Sequence, residues 1–243
     1  MTHASPTSAV ANDDIEILLP AEADTRRVVS RWVLPLEGLA ALLMTVIIAL
    51  LLSGVVSRYV FGNPIIWIDE AVSIAFIWVA LIGAAIAMHR NEHLRLTLFL
   101  DMLPPRTRDF VHALALVGIV AFLVAMVHPA YEFAQEEWFV TTPTLEISNT
   151  FRVAALLFGI VAMLVIVLVY AARTVSKSHL LAAAVLVAAA AALCSWLSPQ
   201  FMQLGLLNIL IFLVGLVGLC LVAGVPIAFC FGLGAVSFLA FTT

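Results

Sequence analysis

The stretch RYVFGNPIIWIDE, residues 58–70, decides how this chain is organised, because it places charges, aromatic rings and a turn between two apolar runs. These runs, residues 34–56 and 71–88, are each about long enough, at 1.5 Å per residue, to cross a hydrocarbon core of about 30 Å. The Gly-Asn-Pro triplet predicts a turn, since Gly and Asn accept turn geometry and proline displaces the preceding residue from the helical region. The sequence therefore predicts two membrane helices joined by a short loop.

The aromatic and charged residues of this stretch predict that the loop lies at the membrane surface. Tyr59 and Trp67 are amphipathic rings suited to headgroup depth. Asp69 is expected to cap the second helix, and Glu70 to lie in its first turn, where a carboxylate meets the positive end of the helix dipole. Arg58 leaves two interpretations open: an ion pair with Glu70, or separate service as an interface anchor.

The composition excludes a water-soluble globule, since 64% of the residues are hydrophobic and only 11% are charged. We therefore predict an all-α integral membrane protein. Cys194, Cys220 and Cys230 lie in apolar runs without metal-ligand spacing, so neither a disulfide nor a metal site is expected. The chain contains no HExxH, P-loop or GxSxG motif, and we expect neither catalysis nor a cofactor.

Composition and charge divide the rest of residues 1–172 into a tail, a surface segment, two spans and a loop. Residues 1–24 are rich in Ala, Ser, Thr, Pro and acidic residues, which predicts a disordered tail. Residues 25–35, which include three arginines and a tryptophan, predict a segment lying along the bilayer surface. Two further spans are expected at residues 110–127 and 153–172, separated by an acidic loop over residues 128–152.

Two other segments need a different explanation from a simple span. Residues 88–108 are polar at both ends, and their apolar middle, about ten residues long, predicts an interfacial or re-entrant helix. Beyond span four, residues 180–197 form a fifth apolar run. The last tract, residues 206–242, would be about 55 Å long as one helix. It must therefore break, and Gly224-Val225-Pro226 is the expected place.

The placement of Lys and Arg predicts the orientation in the membrane. Nine of the eleven basic residues precede span one, lie between spans two and three, or follow span four. The positive-inside asymmetry then puts the N-terminus and residues 88–108 in the cytoplasm. Residues 58–70 and the acidic loop face outward.

Two histidines raise a redox alternative. His89 and His112 lie near the inner ends of spans two and three and could bind haem, which would make the chain a membrane anchor of a redox enzyme. Transport is the other alternative. Small-residue pairs such as Ala80/Ala84 and Gly83/Ala87 predict faces for close helix packing on span two. Spans one to four carry no central charge pair, so we expect them to accompany a transport core and not to form a substrate path.

Several short motifs occur together in this chain, and the sequence positions that carry them are Arg58 to Phe61, Asn63-Pro64, Trp67 with Glu70, Gly83-Ala84-Ala85, His93-Leu94-Arg95, Asp101, Leu103-Pro104-Pro105-Arg106, Thr142-Pro143 and residues 144–148. In this order, residues 31–175 resemble the small membrane subunit, called Q-type or DctQ-like, of tripartite ATP-independent periplasmic (TRAP) transporters. The family's Ser-Glu-Glu ahead of span two appears here as Ile68-Asp69-Glu70, which keeps two acids.

The resemblance implies a four-span small-permease domain over residues 25–177 that acts as a scaffold in the bacterial inner membrane. The implied partners are a large (M-type) permease subunit, a periplasmic solute-binding protein and the lipid bilayer, with no nucleic acid. The complete system would import carboxylate solutes such as C4-dicarboxylates together with sodium. No ligand-binding residue is expected in this chain. The structural or docking candidates are Arg58, Tyr59, Trp67, Asp69, Glu70, His93, Arg95 and Asp101.

The end of the chain also has a resemblance. Residues 204–243, with GVPIAF at positions 224–229 and a glycine-rich continuation, are similar to the opening of the M-type subunit. A Q-type unit that ends inside needs one connecting span, residues 178–203, before an M-type unit that begins outside. We therefore predict a Q–M fusion in which the large subunit is truncated after a first hairpin or broken helix.

Overall fold

The computed structural model describes residues 20–90, 104–201, 205 and 207–242, and in this part of the chain regular structure is helical. We number the helices along the chain as α1 Pro20–Tyr59, α2 Ile68–His89, α3 Pro105–Glu136, α4 Thr150–Thr174, α5 Lys177–Phe201, α6 Leu207–Val222 and α7 Ile227–Thr242. Within α6, residues Leu210–Leu216 are π-helical.

Among these helices, five are long and apolar enough to cross a membrane: Val33–Tyr59, Ile68–His89, Thr107–Glu136, Thr150–Thr174 and Lys177–Ser198. Helices α6 and α7 are shorter apolar helices. The prediction of an all-α membrane protein is therefore confirmed. A chain of this composition can satisfy its backbone N–H and C=O groups in lipid only inside helices, which explains why apolar runs become continuous helices.

The helices extend further than the apolar runs predict. Helix α1 begins at Pro20 and continues through Pro35, so residues 25–35 prolong the first membrane helix and do not form a separate surface segment. Residues 1–19 of the predicted tail lie outside the described residues. Similarly, α5 continues beyond the apolar run of residues 180–197, through Ser198 and Pro199, and ends at Phe201.

Helix α3 also corrects the predicted start of the acidic loop. Residues 128–136 are helical, through Pro129, and the 32 residues of α3 make it about 48 Å long. Side chains four residues apart support this extension: His128 lies 3.6 Å from Glu132, and Gln135 donates a hydrogen bond of 2.9 Å to the Tyr131 hydroxyl. Charge and polarity indicated a loop here, whereas the helix-forming Ala, Glu and Gln residues continue the helix beyond the apolar run.

Contacts between the helices follow the order α1, α2, α4, α3 and then α5 with the α6–α7 pair. Helices α2 and α4 approach closely at Gly159, where an added Cβ would lie 2.9 Å from Leu81 Cβ. The predicted small-residue face of α2 is not the packed one, because Ala80 is exposed and open space faces Gly83. Ile82 and Ala85, both fully buried, pack inward instead.

The last tract turns back on itself as a short helical hairpin. The break falls at residues 223–226, where Gly224 has φ 76° and the Val225 N–H donates to the Cys220 carbonyl at 3.0 Å. The prediction of a break at Gly224-Val225-Pro226 is confirmed. Helix α7 packs on α3 where the Phe122 and Phe229 rings are 5.8 Å apart. The resemblance to an M-type subunit stays a prediction.

Candidate functional site

The loop between α3 and α4, residues 137–149, is folded by its own hydrogen bonds. The Thr142 N–H donates to the Ile147 carbonyl at 2.8 Å, and the Asn149 N–H donates to the Val140 carbonyl at 2.7 Å. Glu146 adopts φ 53°, which lets the chain turn between these pairs. The Asn149 side chain donates to the Glu137 carboxylate at 2.6 Å. Hydrogen bonds within the loop therefore contribute to its shape in addition to its contacts with other elements.

Glu70 connects this loop to α2. Its Oε2 atom accepts hydrogen bonds from the Thr144 N–H at 2.9 Å, from the Leu145 N–H at 3.0 Å and from the Thr144 hydroxyl. The prediction that Glu70 lies in the first turn of the second helix is confirmed. A single carboxylate oxygen thus collects three donors from a segment more than 70 residues away, and charge-assisted bonds of this kind are the stronger ones.

The neighbouring residue, Asp69, has a different role from the predicted one. Helix α2 already begins at Ile68, its N-cap residue is Trp67, and that cap makes no side-chain hydrogen bond. The prediction that Asp69 caps the helix is therefore wrong, because Asp69 is itself within the first turn. Its side chain is exposed.

Of the two interpretations left open for Arg58, the structure does not show the ion pair with Glu70. No ion pair joins these two among the described residues, and the Arg58 side chain is exposed. The turn between α1 and α2 does form as predicted: Gly62 has φ 64°, and the Ser57 hydroxyl donates to the Asn63 carbonyl.

The aromatic candidates of the first loop are open to their surroundings. Tyr59 is 79% exposed, Phe61 is 75% exposed and Trp67 is 43% exposed. In the second loop, Trp138 is 59% exposed and Phe139 is 88% exposed. The Glu70 hydrogen bonds bring the α1–α2 loop, residues 60–67, and the α3–α4 loop, residues 137–149, to the same end of the helices. We call this end the two-loop face.

Sequence reasoning missed two further links between α2 and α4. The Trp78 indole N–H donates to the Phe151 carbonyl at 2.9 Å, and its ring lies 5.6 Å from the Phe158 ring. The Arg152 Nη2 donates to the Ser73 hydroxyl at 3.2 Å. The signal that could have found the first is a tryptophan inside an apolar span, because a buried indole N–H needs an acceptor.

A groove of about 380 Å³ opens between the start of α2 and the second loop. It is lined by Ile66, Asp69, Glu70, Ser73, Pro143, Thr144 and Arg152. Two buried polar atoms in this lining have no hydrogen-bond partner: Glu70 Oε1, an acceptor, and Arg152 Nε, a donor. The groove therefore presents an unused acceptor and an unused donor together.

The opposite end of the helices carries an ion pair. Arg90 Nη2 lies 2.9 Å from Glu37 Oε1, and these side chains are 50% and 38% exposed. The pair joins α1, at Glu37, to the C-terminal end of α2. The candidates His93, Arg95 and Asp101, with the predicted interfacial helix, lie outside the described residues.

The haem alternative has no support from the positions of its two histidines. His112 packs against the Tyr170 ring of α4, with ring centroids 6.3 Å apart. His89 ends α2 beside Arg90. Helix α2 packs mainly against α1 and α4, and α3 mainly against α4 and α5, with little contact between α2 and α3. No cluster of three or more His, Cys, Asp or Glu side chains suited to a metal ion occurs in the part of the chain that the structure describes.

Comparison with known proteins gives a consistent match. The family model described as the DctQ component of tripartite ATP-independent periplasmic transporters matches residues 47–177. The sialic acid TRAP transporter small permease protein SiaQ of Vibrio cholerae is 29% identical over 121 residues, which are 50% of this chain and 70% of that protein. The residues matched by the family model include both loops of the two-loop face.

Two other relatives match over shorter regions. The C4-dicarboxylate TRAP transporter small permease protein DctQ of Vibrio cholerae is 26% identical over 97 residues, which are 40% of this chain and 42% of that protein. The sialic acid TRAP transporter permease protein SiaT of Haemophilus influenzae is 25% identical over 92 residues, 38% of this chain but 15% of SiaT.

Proposed function

The chain belongs to the DctQ-component family of TRAP transporters, and from this premise we propose that it is the static membrane scaffold of a solute importer. It is a multi-pass membrane subunit of a transporter and not an enzyme. The observation that carries the scaffold role is the continuity of α1 to α4. Transport cores bind substrate at interrupted helices near the bilayer centre, and in the apolar spans of these four helices charged residues occur only towards the ends.

The partners of this scaffold are a large permease subunit and a periplasmic solute-binding protein. The permease has ample apolar surface to cover, because α1 contacts mainly α2 and leaves Leu42, Ile48 and Leu52 each at least 60% exposed. The binding protein docks on the two-loop face, where Phe139 and Phe61 are exposed at the ends of the helices. Exposed aromatic clusters of this kind are enriched where proteins associate.

The orientation follows from the basic residues. The N-terminus lies in the cytoplasm, so the two-loop face, which carries Arg58 and Arg152, points to the periplasm across the inner membrane. Arg90, Arg173 and Lys177 mark the cytoplasmic end of α2, α4 and α5. A cysteine introduced at Asn63 should react with an impermeant maleimide added outside intact cells, and one at Ser176 should not. The reverse labelling pattern would invert the orientation.

The solute is a carboxylate taken up with sodium. The relatives are named for sialic acid and for C4-dicarboxylates, and both solutes are carboxylates. Solute and sodium bind to the large subunit, since the scaffold helices offer no charged group at mid-membrane. Competition among carboxylates in uptake assays identifies the preferred solute, and replacing sodium with potassium tests the coupling.

Reconstitution tests the scaffold role. Proteoliposomes that contain this chain alone should not accumulate solute, whereas adding the large permease and the binding protein of the same system should give sodium-dependent uptake. Uptake by the isolated chain would overturn the proposal. For docking, Phe139→Ala should weaken binding of the solute-binding protein severalfold, while Leu181→Ala, at an exposed leucine of α5 near the opposite end, should not.

A further inference from the structure

The groove at the two-loop face contains two buried polar atoms that the described residues do not satisfy. Glu70 Oε2 holds the second loop, which leaves Glu70 Oε1 without a donor. Arg152 Nη2 binds Ser73, which leaves Arg152 Nε without an acceptor. Leaving a buried polar group unpaired is costly, and more so when it is charged. A ligand that brings one donor and one acceptor to this groove removes both costs.

The position of the groove restricts what such a ligand is. Ser73 and Glu70 lie in the first two turns of a membrane-spanning helix, so the groove opens at the depth of lipid headgroups. Ile66 and Pro143 add apolar wall to the polar lining. A molecule with a polar head and an apolar body fits a site of this composition.

The charges of the lining select among phospholipid headgroups. Asp69 and Glu70 carry two negative charges and Arg152 carries one positive charge, so the lining is negative by one and favours a headgroup that contains a cation. The carboxylate also needs an N–H or O–H donor. Phosphatidylcholine has a cation but no N–H, and phosphatidylglycerol has hydroxyl donors but a net negative charge. Phosphatidylethanolamine has both an ammonium donor and a phosphate acceptor.

We propose that this groove is a binding site for a phosphatidylethanolamine headgroup, with the ammonium donating to Glu70 Oε1 and the phosphate accepting from Arg152 Nε. The bound lipid joins α2 to the start of α4 on the side where Glu70 already holds the loop. The site does not depend on transport, and it is formed entirely by this chain.

Lipid retention tests the site without any mutation. The full chain is reconstituted with equal amounts of phosphatidylethanolamine and phosphatidylcholine, extracted in mild detergent, and examined by native mass spectrometry. We expect one phosphatidylethanolamine retained over phosphatidylcholine by about tenfold, the ratio that one hydrogen bond to a charged group gives. N,N-dimethyl phosphatidylethanolamine, which keeps one N–H, should be retained like the parent lipid. Equal retention along this methylation series would overturn the proposal.

A pair of variants locates the bound lipid. Arg152→Gln should lower the retention of both lipids severalfold, because it removes the donor to the phosphate that they share, whereas Arg58→Gln, which removes the same charge from the same face outside the groove, should leave retention unchanged. Equal loss in both variants would mean general surface attraction and would overturn the site. Three other outcomes would also overturn it. They are equal stabilisation of the protein by soluble phosphoethanolamine, a groove that holds water alone, and a groove that holds a partner protein's side chain in place of lipid.

Discussion

The two ends of the helix array are held together by different means. At the two-loop face, one carboxylate oxygen of Glu70 accepts three hydrogen bonds, Arg152 binds Ser73, and Trp78 donates to the first turn of α4. At the opposite end, among the described residues, the ion pair of Glu37 and Arg90 is half exposed. The first set connects segments more than 70 residues apart, whereas the second joins consecutive helices.

The difference indicates which end has a fixed shape. Hydrogen bonds from backbone N–H groups to a carboxylate define both a distance and a direction, while an exposed ion pair competes with water and salt. A surface that must present the same aromatic residues to another protein benefits from the first kind of connection. The contrast between the two ends can be tested by changing one connection at a time.

The largest loss of stability is expected where α2 and α4 are in closest contact. Gly159→Val should lower the free energy of unfolding by about 1–3 kcal/mol, because its Cβ would lie 2.9 Å from Leu81 Cβ and the added methyl groups have no space. The measurement is denaturant unfolding in lipid–detergent micelles. Gly83→Val is the matched control, since open space faces Gly83 in this chain. An equal loss in both variants would remove the close contact from the explanation.

The next effect is expected at the second loop. Glu70→Ala removes the acceptor of the Thr144 and Leu145 N–H groups, and both amides should lose protection in hydrogen exchange while the middle of α4 keeps it. Glu70→Gln should retain part of the protection, because its amide oxygen still accepts. Asp69→Asn, one residue away and exposed, is the control. If Asp69→Asn exposed the same amides, helix-end charge would explain the protection better than these bonds.

The sequence predicts the helices more completely than it predicts the site. The spans and the break near Gly224 follow from the need to satisfy backbone groups in lipid and from the length of an apolar run. The placement of Glu70 in the first turn of α2 also follows from local preference. The partner of Glu70 cannot be predicted in the same way, because Thr144 is distant in sequence. Both loops contain several hydroxyl and charged side chains that could have bound the carboxylate. An ion pair with Arg58, which is nearer in sequence, was one of two open interpretations, and it does not form among the described residues.

Other differences arise from tertiary packing. Local small residues suggested that the face of α2 at Gly83 packs, but the structure buries Ile82 and Ala85, and the small residue at the contact is Gly159 on α4. The sequence of one helix does not determine which of its faces packs against another helix. The extension of α3 to Glu136 shows the same limit, since a loss of hydrophobicity marks the end of the membrane and not the end of the helix.

A smaller effect is expected at Trp78, whose hydrogen bond at the two-loop face joins two uncharged groups. Trp78→Phe keeps an aromatic ring near Phe158 but removes the donor to the Phe151 carbonyl, and should lower the free energy of unfolding by about 1 kcal/mol. Trp196→Phe is the matched control, because Trp196 is 79% exposed on α5. The interpretation fails if the two substitutions have equal effects in the same micelles.

The smallest effect is expected at the opposite end. Glu37→Gln removes one charge of a pair whose side chains are 50% and 38% exposed, and exposed pairs contribute about 0–1 kcal/mol. The change in the free energy of unfolding should shrink further when salt is raised from about 0.01 M to about 1 M, where the Debye length falls to about 3 Å. The loss of loop protection in Glu70→Ala should persist at high salt, because it concerns directed hydrogen bonds. A Glu37→Gln effect that exceeded the Trp78→Phe effect at high salt would reverse the comparison, and the end that carries Arg90 would then be the more firmly held.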